Sequence, residues 1–289
     1  MNSIPRRLFG KNTAICFTGQ HTFHYPGHGL HYPGMDFNLY KNNKIAKKIV
    51  DEADASLGFK ISDVLFGKSN EKVVLASHAQ PAILLHSIIM LEIAKHEYEF
   101  NDVKDAGYEV AMGHSVGEYT ALVATGAIPL REGLQLVHKR GLAMQHTMGK
   151  NIDRNENKYG MYALMFTTYE RALDLCETIN AGNRAKCSVA NHNEEQQVVI
   201  SGHMDAMDQV ISLGKKRKQI RRAIKLDIPT PLHSCYMKPA IIELEEALNN
   251  IHFDDPIIPI ISNVTGEIYH TSDNIKQNLL DQLHSTVKW

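Results

Sequence analysis

The run Val110-Ala111-Met112-Gly113-His114-Ser115-Val116-Gly117-Glu118-Tyr119 sets the tightest limit on how this chain can fold. A G-x-S-x-G pentapeptide there joins an apolar, strand-like stretch to a helix-like one. Glycines at 113 and 117 lack a Cβ, so the chain can turn sharply and hold Ser115 in a strained conformation with its hydroxyl pushed outward. The turn also sets Ser115 at a helix N-terminus, where the N–H of Val116 can stabilise an oxyanion. The stretch that follows, Tyr119 to Thr125, is short enough for a helix stopped by Gly126. Ser115 is therefore a candidate nucleophile for acyl chemistry on an α/β scaffold.

With 289 residues, the chain has room for about two domains, or one large α/β domain with an insertion. Apolar residues make up 43% and charged residues 22%, which excludes wholesale disorder and fibrous arrays. A formal net charge of −1 argues against nucleic-acid binding through overall charge. Cys16, Cys176, Cys187 and Cys235 are scattered and without C-x-x-C spacing, so neither a zinc ribbon nor a disulfide framework is expected. The 16 histidines form no H-E-x-x-H pattern, and no metal site is expected. The most apolar stretch, Pro81 to Ala94, carries His86, Ser87 and Glu92 and falls short of the roughly 20 residues a spanning helix needs, so no membrane crossing is expected. The basic N-terminus, with Arg6, Arg7 and Lys11, reads either as a short mitochondrial transit signal or as the tail of a cytoplasmic protein.

Along the chain, Thr13 to Phe17 reads as a buried strand, and Thr18-Gly19-Gln20 as a turn at its carboxyl end, where ligands of open α/β sheets bind. His21 to Met35 is a Gly/Pro-rich loop. Helical spacing marks Lys44 to Leu57, Pro81 to Tyr98 and Leu130 to Met148. The polar run Gly149 to Lys158 breaks the pattern as a hinge or surface insertion. After it come strand (Met161 to Phe166), helix (Tyr169 to Ile179), strand (Cys187 to Ala190), strand (Gln197 to Ser201), helix (Met204 to Leu213) and strand (Arg222 to Leu226), the order of a ferredoxin-like unit. Ile241 to Asn250 reads as a helix and Ile257 to Ser262 as a buried strand. The expected architecture is an α/β-hydrolase-like large domain with a mostly parallel sheet (1–153 and 229–289) carrying an inserted ferredoxin-like subdomain (154–228).

The ordered motifs resemble the malonyl-CoA:acyl carrier protein transacylases of fatty acid synthesis. Phe17-Thr18-Gly19-Gln20 is similar to the F-P-G-Q loop of that family, Gln80-Pro81-Ala82 to its Q-P-A segment, and Gly113 to Tyr119 to its G-H-S-x-G-E-[YF] elbow. Arg140-Gly141, Asn191-His192-Asn193 with Gln197 to Gly202, Leu232-His233-Ser234 with Met237-Lys238-Pro239-Ala240, and Gln282-Leu283 with Val287-Lys288-Trp289 follow in family order. The resemblance implies Ser115 as nucleophile, His233 as general base oriented by the backbone carbonyl of Gln282, and an oxyanion hole from the N–H groups of Gln20 and Val116. It also implies substrate contacts from Arg140, Gln80, His114 and Asn193, with the Arg140 guanidinium forking onto the malonyl carboxylate. The implied partners are malonyl-CoA, as substrate, and an acyl carrier protein. No separate cofactor is implied, and a monomer is expected.

The chain departs from the family pattern at Thr18 and His21 in the F-P-G-Q-G loop and at Leu232 before His-Ser. It also stops before the family's closing segment, so a fragment with an exposed sheet edge is expected. Lys215 to Arg222 holds six basic residues in eight, an expected docking surface for an acidic carrier protein or else a solvated face. Two rival readings stand beside this one. A serine hydrolase or thioesterase would need the order Ser, Asp/Glu, His, for which Asp227 is poorly spaced from His233. The other rival is a truncated, catalytically silent binding protein.

Overall fold

The structure, a computed structural model, describes residues 13–17, 37–66, 75–151 and 158–289. The sequence expectations for Gln20, for the loop from His21 to Met35 and for the basic N-terminus fall outside these residues, as does the 152–157 portion of the polar run. The chain divides into two compact units, Met1–Gln145 with Glu246–Ser262 and Glu267–Ile275, and His146–Glu245 with Asn263–Gly266 and Lys276–Trp289.

In the first unit, β1 (Ala14–Phe17) pairs in parallel with β2 (Val110–Gly113), from Ala14 against Val110 to Phe17 against Gly113. β2 pairs in parallel with β7 (Ile260–Ile261), and β7 pairs antiparallel with β8 (Ile268–Tyr269), in the order β1-β2-β7-β8. The strand expected over Ile257 to Ser262 is thus only two residues of ladder. The N–H of Ile257 goes instead to the Thr125 carbonyl at 3.0 Å, tying this stretch to a helix end. Helices α1 (Phe37–Asn42), α2 (Lys44–Ser56) and α3 (Ile61–Phe66) precede a long helix, α4 (Ala76–Tyr98). Ala79, Ala82, Ile83, Leu84, Leu85, Ile88 and Ile89 of α4 are all buried, so the helix is apolar on several sides rather than along one stripe.

Helix α4 begins five residues before the position expected from sequence, with Pro81 inside it. A proline there has no N–H for the carbonyl four residues back, which belongs to Ser77. A neighbouring helix supplies the missing donor: His138 Nδ1 lies 2.7 Å from the Ser77 carbonyl oxygen, and Gln145 Oε1 accepts from the Ser77 N–H at 2.9 Å. Both side chains come from α6 (Leu130–Asn151), which follows α5 (Val116–Ala124). The break expected at Gly149 does not occur, because α6 runs on to Asn151.

The second unit contains the β-α-β-β-α-β order read from sequence. β3 (Tyr159–Met165), α7 (Tyr169–Gly182), β4 (Cys187–Glu194), β5 (Gln197–His203), α8 (Met204–Lys216) and β6 (Arg222–Lys225) follow in turn. The sheet order is β6-β3-β5-β4, extended by the parallel strand β9 (Val287–Lys288) on β4. Leu164, Val189, Val198 and Ile200 from the strands pack with Leu175, Met207 and Val210 from the helices into one apolar core. Helices α9 (Ala240–Asn249) and α10 (Ile275–Gln282) complete the regular elements named here. No helix among the described residues is long and apolar enough to cross a membrane.

Candidate active site

In the first unit the turn after β2 is built by backbone constraints. His114 donates its N–H to the Phe17 carbonyl at 3.1 Å, which ties the turn to β1, and Gly117 donates to the His114 carbonyl at 2.9 Å. A Cβ on Gly113 would run into the Gly117 carbonyl, so only glycine closes the turn. Ser115 sits between them at φ 54°, ψ −110°, a conformation L-residues rarely hold. It is the N-cap residue of α5, yet its side chain makes no capping bond. The Ser115 Oγ instead accepts a hydrogen bond from Arg140 Nη2 at 3.2 Å. As the first residue of α5, Val116 has an N–H with no carbonyl partner inside the helix, which suits it to a developing oxyanion.

Arg140, on α6, is 1% exposed. Burying a guanidinium removes its hydration, so protein groups must replace water around it. Nη1 donates to Gln80 Oε1 of α4 at 2.8 Å, Nη2 donates to Ser115, and the Tyr119 ring lies 5.4 Å from the guanidinium carbon. Burial draws the Arg140 pKa below the ordinary guanidinium value, while Tyr119 and the buried Glu118 push it back up. Gln80 is itself buried, and its Nε2 lies 3.4 Å from Met144 Sδ, so the carboxamide oxygen faces the arginine. Gly141 makes the approach of α4 and α6 possible, because a Cβ there would collide with the Ser77 backbone. The Arg-Gly pair is therefore a chemical group beside the gap that lets it reach its partners. His114 is buried in the turn next to Ser115.

The second unit carries the imidazole. His233 is 2% exposed, at φ 53°, and its Nδ1 lies 2.7 Å from the Gln282 carbonyl oxygen. A carbonyl can only accept, so Nδ1 bears the hydrogen and Nε2 keeps its lone pair. Gln282 is the last residue of α10, where carbonyls have no partner within the helix and carry the negative end of its dipole. That end favours the imidazolium formed when Nε2 takes a proton. The Gln282 side chain points elsewhere, to Asn263 Oδ1 at 3.4 Å. Ser234 Oγ donates to the Pro231 carbonyl at 2.6 Å and accepts from the Tyr236 N–H, fixing the backbone just after His233. Asp227, the acid a hydrolase triad would need, is exposed, and the Gln282 carbonyl occupies the Nδ1 side of the ring. Asn193 lies partly buried on β4, where the pairing with β5 is irregular between His192 and Glu194.

Ser115, Arg140 and Gln80 thus meet through hydrogen bonds within one unit, and His233 and Gln282 meet within the other. Gln20 lies outside the described residues. Three side chains carry no role in the sequence reading: Tyr119, which faces the arginine, and Gln145 and His138, which hold the Ser77 backbone of α4. Tyr119 had a visible signal, since it stands four residues after Ser115 on the same helix and so shares its face.

A strained serine at a strand-to-helix turn, held by a buried arginine, defines a site for acyl chemistry. The chain belongs to the acyl transferase domain family, which matches residues 22–288. It is 34% identical over 270 residues to the malonyl CoA-acyl carrier protein transacylase of Bacillus subtilis strain 168, covering 92% of this chain and 80% of that protein. Among solved structures, an acyl carrier protein S-malonyltransferase from Vibrio cholerae is similar at a TM-score of 0.82 and 30% identity, covering 96% of this chain and 83% of that one. A malonyl-transacylase in complex with its type II PKS acyl-carrier protein is similar at a TM-score of 0.81 and 27% identity, covering 96% and 82%.

The strain at Ser115 is measurable. Ser115→Ala and Ser115→Gly both remove the hydroxyl, but only glycine relaxes at positive φ. Denaturant unfolding should find the glycine variant more stable than the alanine variant by about 1 kcal/mol. Equal stabilities, or a more stable alanine variant, would show that the turn stores no strain.

Proposed function

We propose that this protein transfers a malonyl group from malonyl-CoA to the phosphopantetheine thiol of an acyl carrier protein through a malonyl-serine intermediate. The observation that carries the reading is the buried Arg140 guanidinium bonded to the Ser115 hydroxyl. A fully buried cation beside a nucleophile is a poor site for an acetyl group and a good one for an acyl group ending in a carboxylate. The names of the relatives agree with that selectivity.

In the first half-reaction the Ser115 Oγ attacks the thioester carbonyl, and the hydroxyl proton goes to the general base, a role that the family resemblance gives to His233 Nε2. The oxyanion is met by the N–H of Val116 and, by family resemblance, that of Gln20. The carbon–sulfur bond breaks, the proton passes from His233 to the departing thiolate, and free coenzyme A leaves. In the second half-reaction the carrier-protein thiol gives its proton to His233, its sulfur attacks the ester carbonyl, and the proton returns to Ser115. The Gln282 carbonyl keeps one tautomer throughout without placing a fixed negative charge on the ring. Gln80 holds the guanidinium, and His114 and Asn193 are assigned to substrate contact.

The test is Arg140→Ala assayed with malonyl-CoA and acetyl-CoA. Loss of two charge-assisted hydrogen bonds should lower kcat/KM for malonyl-CoA about 100-fold or more and abolish the preference over acetyl-CoA. A variant that still prefers malonyl-CoA would refute the assignment.

Docking of the carrier protein is assigned to the second unit. Lys215, Lys216, Arg217, Lys218, Arg221 and Arg222 are exposed from the end of α8, through the connection that follows, to the first residue of β6, which lies at the edge of its sheet. Among the described residues only Arg217 has an acidic partner, Asp174 at 3.3 Å, while Arg221 lies over the half-exposed Phe166 ring at 5.4 Å. Carrier proteins are typically acidic, so the charges are complementary. Replacing Lys216, Lys218 and Arg222 by Gln should raise the KM for carrier protein severalfold and flatten its salt dependence, with the malonyl-CoA half-reaction intact. Unchanged kinetics would show that the basic run is a solvated face.

A further inference from the structure

We infer that Phe166 is the apolar anchor on which the carrier protein seats, with the basic run beside it as the electrostatic half of the same docking surface. This rests on the carrier-docking reading given above and adds to it a contact that salt does not screen.

A phenylalanine gains little from folding while its ring stays in water, yet Phe166 is half-exposed. Its backbone sits at φ 60°, a left-handed conformation that a residue with a Cβ reaches only at a cost. Three chain segments hold it there. The N–H groups of Phe166 and Thr167 both donate to the Gln196 carbonyl, at 2.8 and 3.4 Å, which binds the end of β3 to the turn between β4 and β5. The Met165 carbonyl accepts from the Arg221 N–H at 3.3 Å, which binds the same end to the connection from α8 to β6. Thr167, the next residue, is buried, so the main chain is fixed where the ring is turned outward. Neither burial nor backbone preference explains a phenylalanine here, whereas a partner that covers the ring would.

The surroundings select the partner. The Arg221 guanidinium carbon lies 5.4 Å from the ring centroid, within the range of attraction between a cation and an aromatic face, and aromatic and arginine side chains are those most often decisive in protein interfaces. Lys218, in the same connection, also holds a positive φ, at 57°, just past the end of α8, where glycine is the usual residue. In the sheet β3 lies between β6 and β5, so Phe166 stands between the basic start of β6 and the exposed Glu194 and Glu195 of the β4–β5 turn. The sign of the charge changes across the ring. An acidic partner is drawn to the β6 side and repelled from the hairpin side, so the ring fixes where it sits and the charges fix which way it faces. More than half of a folded protein's accessible surface is apolar, so a carrier has side chains to lay on the ring.

The experiment measures KM for carrier protein and for malonyl-CoA, at low and high salt, in the wild type, Phe166→Gly, Phe166→Tyr and the Gln variant of Lys216, Lys218 and Arg222. Glycine suits the positive φ, so Phe166→Gly should melt no lower than the wild type. Its KM for carrier protein should rise about tenfold with kcat and the KM for malonyl-CoA unchanged, and Phe166→Tyr should stay within about twofold of wild type. The rise should persist at high salt, which screens exposed charges, while the rise caused by the Gln variant shrinks. A Phe166→Gly variant with the wild-type KM for carrier protein, beside a Gln variant whose KM has risen, would overturn the anchor and leave the basic docking surface in place. A raised KM for malonyl-CoA alone would overturn it by giving the ring to the thioester's nucleotide, and a lower melting temperature with both half-reactions weakened alike would overturn it by making the ring part of the fold. A wild type that passes malonyl to no carrier protein would take down both readings.

Discussion

A guanidinium removed from water needs a protein partner on each side, and the first unit of this structure is arranged around meeting that need for Arg140. Gly141 leaves the gap through which α6 reaches the start of α4, bringing Gln80 to one nitrogen. The turn after β2 brings the Ser115 hydroxyl to the other, and α5 brings the Tyr119 ring to the face. Even the odd placement of Pro81 belongs to this contact, because the carbonyl it leaves without a helical donor is met by His138 of α6. Packing and chemistry share one cause here: the helices approach closely where the charge is held.

Among the described residues, five that are not glycine have positive φ, and two of them, Ser115 and His233, lie where reactivity is proposed, the others being Glu99, Phe166 and Lys218. Ser115 and His233 both have positive φ, at 54° and 53°, and neither is glycine. Such conformations persist only where surroundings over-determine them. For Ser115 the determinants are the Gly113 contact with the Gly117 carbonyl and the hydrogen bond from His114 to β1. For His233 they are the Gln282 carbonyl and the Ser234 bonds on its carboxyl side. Each site thus has a neighbouring polar residue, Ser234 or His114, whose bonds hold the main chain in place.

Much of this was legible in the chain itself. The elbow announced its strand–turn–helix, Gly126 ended the helix with φ at 76°, and the β-α-β-β-α-β order was written in alternating strand and helix patterns. Local signals failed where the compensating group lies far away in sequence. Pro81 reads as a helix start because nothing near it shows that His138 will supply the missing donor. Ile257 to Ser262 reads as a full strand because apolar content does not reveal that the Ile257 N–H goes to Thr125. The partner of His233 could not come from spacing either, since a backbone carbonyl has no side-chain signature; the family resemblance supplied it. Tyr119 was visible in position but silent in role, because a face contact with a cation depends on which helix packs opposite.

The central claim is that a carboxylate-tipped acyl group is captured on Ser115 by virtue of Arg140. The most direct measurement incubates the protein with equal concentrations of malonyl-CoA and acetyl-CoA and maps the acyl-enzyme by intact-mass and peptide mass spectrometry. The account predicts a malonyl adduct in large excess over acetyl, located on Ser115 and absent from Ser115→Ala. An adduct on another residue, equal acetyl and malonyl labelling, or no acyl-enzyme at all would contradict it.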